Sequence, residues 1–385
     1  MCTLSIWCRA CTRPWPRLGW FSRWLLCLIV CLVGCTQAPG PKTAVFLARP
    51  GLLIALDSRD GREQWEGDLP PDPVCDVAPS PDGRWVAVLQ RGLVILSIES
   101  PFERIIADSP PGWFFPSCIR PYGRVDSPGA LLSWADTHEI LVMVRKSFGG
   151  QELRGITAFD LKSRAWRPWV QQLVPGCWLL AQPSREVQLS CERLRFGRWP
   201  LAFSGLLGID PTNGVIRRWV TLSPPQRLIA LGVPEVSPVV GVAESGEYQY
   251  VLTESGVLYI LDRSGYVLES LLVWHEAGLV SRASGKALRV DRSGTVAWVV
   301  LWRADAPSVL ALVELRSRAV PRTLVLDERL VDLDFLDDGV VVLLLDEGAG
   351  FRVVRRELRS VADRELGMLS RETTCCWVGP LASGD

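Results

Sequence analysis

From residue 44 onward the chain alternates short apolar runs with clusters of Gly, Asp, Ser and Pro, the pattern of strands joined by tight turns. One unit recurs: an apolar strand ending in a polar residue, a short turn, then a second strand. Residues 52–57 with Gly61 and residues 257–262 with Gly265 are its clearest copies. Similar pieces lie at 156–160, 206–210 with Gly214, and 309–314, with looser ones at 93–98 and 351–355. Asp160, Asp210, Asp262 and Glu314 follow one another at spacings of 50, 52 and 52 residues. A period of about 40–50 residues with four strands per unit selects a propeller over other repeat folds.

Each of these hairpins except the first is preceded by another, which supplies the remaining two strands. Residues 74–79 and 85–90 flank Ser80-Pro81-Asp82-Gly83, and the pairs 131–135/140–145, 178–182/187–191, 239–243/248–253, 287–291/296–302 and 331–336/340–345 repeat the arrangement. No stretch here carries a helical stripe of period 3.6. The first unit, 44–47, 52–57 and 64–66, lacks an innermost strand, while 373–378 is a spare strand after the seventh unit. Joining the two removes an open sheet edge. The expected fold is an all-β, seven-bladed propeller of four-stranded antiparallel blades over residues 44–379, closed by the N- and C-terminal strands and followed by a tail, 380–385.

Residues 1–34 read differently. Arg9, Arg13, Arg17 and Arg23 precede eleven apolar residues, 24–34, and Leu32-Val33-Gly34 leads into Cys35. Eleven residues fall short of the ~20 that a spanning helix needs, but suit an export signal. The segment resembles the lipobox of bacterial lipoproteins, which implies a signal peptide over 1–34, acylation of Cys35, and a lipidated cysteine and linker over 35–43. The implied location is the extracytoplasmic side of a membrane in the cell envelope.

The repeats carry a resemblance too. Ser80-Pro81-Asp82-Gly83-Arg84-Trp85 resembles the strand-turn motif of WD-like (WD40) and related bacterial propellers. Ala55-Leu56-Asp57 through Gly61, Glu63 and Trp65 resembles the quinoprotein-type repeat. The chain is similar to the broad WD-repeat, YVTN and quinoprotein-like propeller group, although no Trp-Asp dipeptide or Gly-His signature occurs. The resemblance bears on fold and says little about activity.

Charge and cysteine usage narrow the picture. The whole chain is formally neutral, and removing a leader with four arginines and no acid leaves 38 basic against 42 acidic residues, a net charge of −4. With no basic stripe, no nucleic-acid partner is expected. Cys2, Cys8, Cys11, Cys27 and Cys31 depart with the leader and Cys35 would carry lipid. Cys75, Cys118, Cys177, Cys191, Cys375 and Cys376 remain, an even number in an exported domain where disulfides persist. Metal ligation is the weaker alternative, because no C-x-x-C pair remains and His138 and His275 lie far apart. Cys177 and Cys191 lie symmetrically about Ser184. An uninterrupted antiparallel register centred there sets them opposite each other, about 4.5–5.5 Å apart at Cα, within disulfide reach. The pairing of the other four cysteines stays open.

Candidate chemistry is thin. Asp57, Asp160, Asp210 and Asp262 recur with the fold period at a strand end, which fits carboxylates accepting turn N–H groups rather than a catalytic pair needed once. There is no G-x-S-x-G elbow, Walker loop, dinucleotide fingerprint or EF-hand loop, and no cofactor or metal is expected. Long segments fall at 108–130, 146–154, 193–205 and 274–285, all on the face opposite the short turns of a four-stranded meander. They carry Trp113, Phe114, Phe115 and Tyr122, then Arg193, Arg195, Phe196, Arg198 and Trp199, then Trp274 and His275. Aromatics and arginines are enriched at binding hot spots; the alternative is that these loops fold back to plug the channel or seal a blade. The leading expectation is therefore a lipid-anchored binding or scaffold module for a protein or cell-envelope ligand, without chemistry of its own. The competing one is an envelope enzyme on a propeller, a hydrolase or lyase or a quinone-dependent dehydrogenase.

Overall fold

The computed structural model describes residues 42–381 apart from 101–102, 117–129, 169, 174–176, 181–186, 197–198, 211, 234–236, 275–286, 292, 302–307, 327–328, 338, 361 and 371–373. Among the described residues the strands form seven antiparallel sheets, arranged as a seven-bladed β-propeller. Blade 2 shows the plan: Asp76–Pro79, Trp85–Leu89, Leu93–Ser97 and Arg104–Ala107 pair in sequence order. The first strand of each blade lies toward the centre; Asp76–Pro79, largely buried, packs on Leu132–Trp134 of blade 3, and Val239–Ser245 of blade 5 on Leu288–Val290 of blade 6. The fourth strands lie at the rim and are largely exposed, as in Glu63–Asp68 and Ala362–Leu369. In blade 1 the innermost place is taken by Thr374–Leu381, which pairs antiparallel with Lys42–Arg49 so that Phe46 faces Trp377 and Val45 faces Val378.

Continuous apolar runs along the inner strands explain where the core sits. A blade buried on both faces needs apolar residues at odd and even positions alike, and the inner strands read that way: Val86, Ala87, Val88 and Leu89 are all buried. The buried side chains sort into seven clusters, one at each blade-to-blade interface, instead of a single central core. The cluster of Val45, Leu47, Val342, Leu344 and Val353 joins blade 7 to blade 1. Met143, Ile156, Cys177, Leu189 and Cys191 join blades 3 and 4.

Blade 3 departs from the plan at its rim. Ala165–Trp166 and Gln171–Leu173 both pair with Gln151–Asp160, as two pieces of one interrupted fourth strand. Pro168 lies in the gap, where it cannot donate to a ladder. The one helix among the described residues is a single turn, Gln226–Ile229, between blades 4 and 5. No helix of the described residues is long and apolar enough to cross a membrane. Cys35 and the leader lie outside the described residues.

Candidate functional site

Two kinds of connection emerge on one face of the ring, those between a blade's second and third strands and those between blades. Of the four long segments there, two are not loops. In blade 3, Glu139–Phe148 and Gln151–Asp160 stay in unbroken register from Glu139↔Asp160 up to Phe148↔Gln151, so residues 146–154 form the top of a hairpin. The turn is Gly149-Gly150, both at positive φ (58° and 77°), as a two-residue hairpin turn of matching twist requires. The polar run that suggests a loop is instead a hairpin solvated on both sides, which needs no apolar alternation.

Blade 4 repeats the device. Val187–Phe196 pairs with Trp199–Ile209, with a bulge between Cys191 and Arg193 and the last pair at Phe196↔Trp199. Arg193, Arg195, Phe196 and Trp199 therefore sit on paired strands, and residues 193–205 are no loop. Arg198 lies outside the described residues. Cys177 and Cys191 are directly opposed, the register symmetric about Ser184, and a disulfide joins them with Cα atoms 4.1 Å apart. Cys75 is disulfide-bonded as well. Cys118 and the side chains of Cys375 and Cys376 fall outside the described residues.

The segment after blade 2 folds back onto blade 3. Phe114 exchanges two backbone hydrogen bonds with Arg145 (2.8 and 2.7 Å), and Arg145 Nε donates to the Phe115 carbonyl at 3.1 Å. Phe115 is buried with its ring 6.0 Å from that of Trp166, whose indole N–H donates to the Asp108 carbonyl at 2.8 Å. Trp113 is half-buried over Gly155, where a Cβ would meet its ring at 3.1 Å. The three aromatics thus divide: Trp113 and Phe115 seal the blade, and Phe114 stays 60% exposed. Tyr122 and His275 lie outside the described residues. Trp274 is half-buried against the cluster between blades 5 and 6. Phe148, which no loop argument singles out, stands 71% exposed beside the Gly149-Gly150 turn; a Gly-Gly pair between polar runs is the signal that points to it.

The recurring acids are occupied by their own turns. Asp160 Oδ1 accepts from the Ser163 N–H and hydroxyl, Asp210 Oδ1 from those of Thr212, and Asp262 Oδ1 from Ser264 and the Tyr266 N–H. The Thr212 hydroxyl and N–H, with Arg217 at Oδ2, hold the Asp210 carboxyl down to about 2. Turn donors from Ser163 and Ser264 likewise lower Asp160 and Asp262. Groups held this firmly ionised are the opposite of a general acid poised near neutrality.

Near the central channel, carboxylates act as staples. Asp76 accepts four hydrogen bonds, from the N–H groups of Val77 (2.9 Å), Leu131 (2.7 Å) and Leu132 (3.0 Å) and from the Trp377 indole (2.9 Å). It thereby ties blades 1, 2 and 3 together. Asp334 of blade 7 accepts the Val378 N–H at 2.9 Å, and Ser190 of blade 4 accepts the Val239 N–H of blade 5 at 2.9 Å. Among the described residues no cluster of His, Cys, Asp and Glu could hold a metal ion.

Fold and face together define a class: a seven-bladed β-propeller carrying two extended hairpins on adjacent blades. No family model and no curated protein matches the chain. Solved structures do. A functionally unknown protein from Desulfotomaculum acetoxidans DSM 771 is 9% identical, with a TM-score of 0.55, covering 88% of this chain and 99% of its own. The dihydro-heme d1 dehydrogenase NirN is 12% identical, with a TM-score of 0.51, covering 86% of this chain and 74% of its own. A chain of the mitotic checkpoint complex is 10% identical, with a TM-score of 0.51, covering 87% and 84%. At these identities the likeness is one of fold alone.

Proposed function

We propose that this protein is a lipid-anchored, extracytoplasmic propeller, its ring latched by the two chain ends, that binds a protein or cell-envelope ligand through the hairpin face without chemistry of its own. The observation that carries the reading is the pair of β-hairpins projecting from adjacent blades. They present Phe148 in the open at one tip, on the strand whose Arg145 bridges exposed Phe114, and place Arg193, Arg195, Phe196 and Trp199 on the strands of the other. A rigid scaffold carrying aromatic and cationic residues on the strands of its hairpins is the arrangement that binding surfaces use. The recurring acids Asp160, Asp210 and Asp262 are bonded to their own turns. The lipobox-like Leu32-Val33-Gly34-Cys35 supports the anchor, and stable attachment needs more than one acyl chain.

A pull-down from envelope extract with residues 36–385 tests the binding face. The double variant Phe114→Asp/Phe148→Asp should keep its melting temperature and lose the captured ligand. Equal capture by both proteins would remove the hairpin face from the reading. Intact-mass analysis of the native protein tests the anchor, with an acylated Cys35 as residue one expected.

A further inference from the structure

The end at which the chain enters the ring has a consequence for orientation. Lys42 begins its strand on the short-turn face, because the Ser58 N–H of the blade 1 turn donates to the Thr43 carbonyl at 3.3 Å and Ala44 lies opposite Asp57. Only six residues, 36–41, lie between Cys35 and Lys42, a reach of about 25 Å at full extension. The blade 3 strand runs ten residues from Glu139, on the short-turn face, to Phe148, about 30 Å at strand rise. On the lipid-anchor reading, a tether that short starts from the short-turn face and favours that face toward the bilayer, with the hairpins on the opposite side.

The short-turn face carries a feature suited to that position. Among the described residues, the large hydrophobics left exposed there belong to blades 4 and 5. Val215 and Ile216 follow the Asp210 turn, and Tyr248 and Tyr266 flank Asp262, which pairs with Tyr248 and accepts the Tyr266 N–H. Tyr266 is 70% exposed and the other three are about half exposed. The two blades are locked together beneath them. Arg218 reaches the Gln249 side chain at 3.0 Å, and Gly265 is so close to Val220 that a Cβ would meet it at 2.6 Å. Two charge pairs lie beside the patch, Arg217 with Asp210 and Arg263 with Glu247 at 2.7 Å, and the Asp262 carboxylate is bonded to its own turn. Tyrosine is the side chain that partitions to the membrane–water interface, apolar ring inward and hydroxyl wet.

We propose that Val215, Ile216, Tyr248 and Tyr266 form a membrane-resting patch that seats the short-turn face on the phospholipid interface of the anchoring bilayer, leaving the hairpin face free for its ligand. The proposal rests on the lipid-anchor reading and adds a defined orientation to it. Hydrogen exchange by mass spectrometry tests it, using native protein on vesicles of phosphatidylethanolamine and phosphatidylglycerol and the Cys35→Ala protein in solution. Residues 212–218, 246–249 and 263–268 should exchange several-fold more slowly on vesicles, with 146–153 unchanged. The variant Tyr248→Ser/Tyr266→Ser should melt as the parent does, stay on the vesicles through its acyl chains, and lose the slowed exchange. Slowing at 146–153, or none at the patch in an acylated protein, overturns the proposal and leaves the anchor standing. An unmodified Cys35 overturns both. Patch protection that grows with concentration of the Cys35→Ala protein assigns the surface to a second copy and overturns the resting role.

Discussion

Asp76 shows how much one buried side chain can hold. Its two oxygens accept four donors drawn from three blades, and a buried N–H left without its acceptor costs about 1–3 kcal/mol. Asp76→Ala orphans the Leu131 and Leu132 amides and the Trp377 indole together. Denaturant unfolding should therefore show a loss of about 3–5 kcal/mol, near the upper end for a single substitution. Asp210 behaves differently, because its carboxyl is held by its own turn. Its folded value, about 2 against an ordinary 3.8, is depressed. Its contribution to stability is therefore full above the ordinary value and is lost as pH falls from about 4 to about 2. Replacing Thr212 by alanine removes the first of the causes, so the Asp210 titration followed by carboxyl NMR should move up toward the ordinary range. Nothing in residues 73–76 distinguishes Asp76 from the repeat acids, since its partners come from strands 55 and 301 residues away.

At the scale of the element, alternation and turn chemistry made nearly every strand legible. The repeating strand end supplies its own turn cap in several blades, and the position four residues on, at positive φ, is glycine at Gly61 and Gly214 but arginine at Arg164 and Arg318. Those two blades, 3 and 6, lack the glycine signal in sequence, although the turn places a residue at positive φ in the same position. What alternation could not separate was a solvated hairpin from a polar loop, and residues 146–154 and 193–205 are paired strands. The Gly149-Gly150 turn is the hinge of that difference: with both residues at positive φ, Gly149→Val/Gly150→Val should strain the tip and speed amide exchange over 145–154, with the rest of blade 3 unchanged. The Cys177–Cys191 bridge closes a loop spanning 14 residues, worth about 3 kcal/mol at most in the chain-entropy model. Reduction, or Cys177→Ala with Cys191→Ala, should lower stability by up to that amount, read as a shift in the denaturant midpoint.

For the whole molecule, seven sheets with a buried cluster at every interface make each blade depend on both neighbours. Thr374–Leu381 touches three of them, pairing with blade 1, donating from Trp377 to Asp76 of blade 2 and from Val378 to Asp334 of blade 7. Deleting residues 370–385 should broaden thermal unfolding into a less cooperative transition and lower its midpoint, whereas removal of a frayed tail would leave both unchanged. The sequence by itself determined the all-β class, the repeat, the count of seven blades and the opposed cysteines, because each is written in a local period of two or a repeat of about 50 residues. Tertiary structure alone decided which polar runs pair as hairpins, which of three adjacent aromatics remains outside, and which acids staple blades. A hairpin solvated on both sides carries no apolar alternation to mark it, and the other two outcomes depend on neighbours 30 to 301 residues away, which no local period encodes.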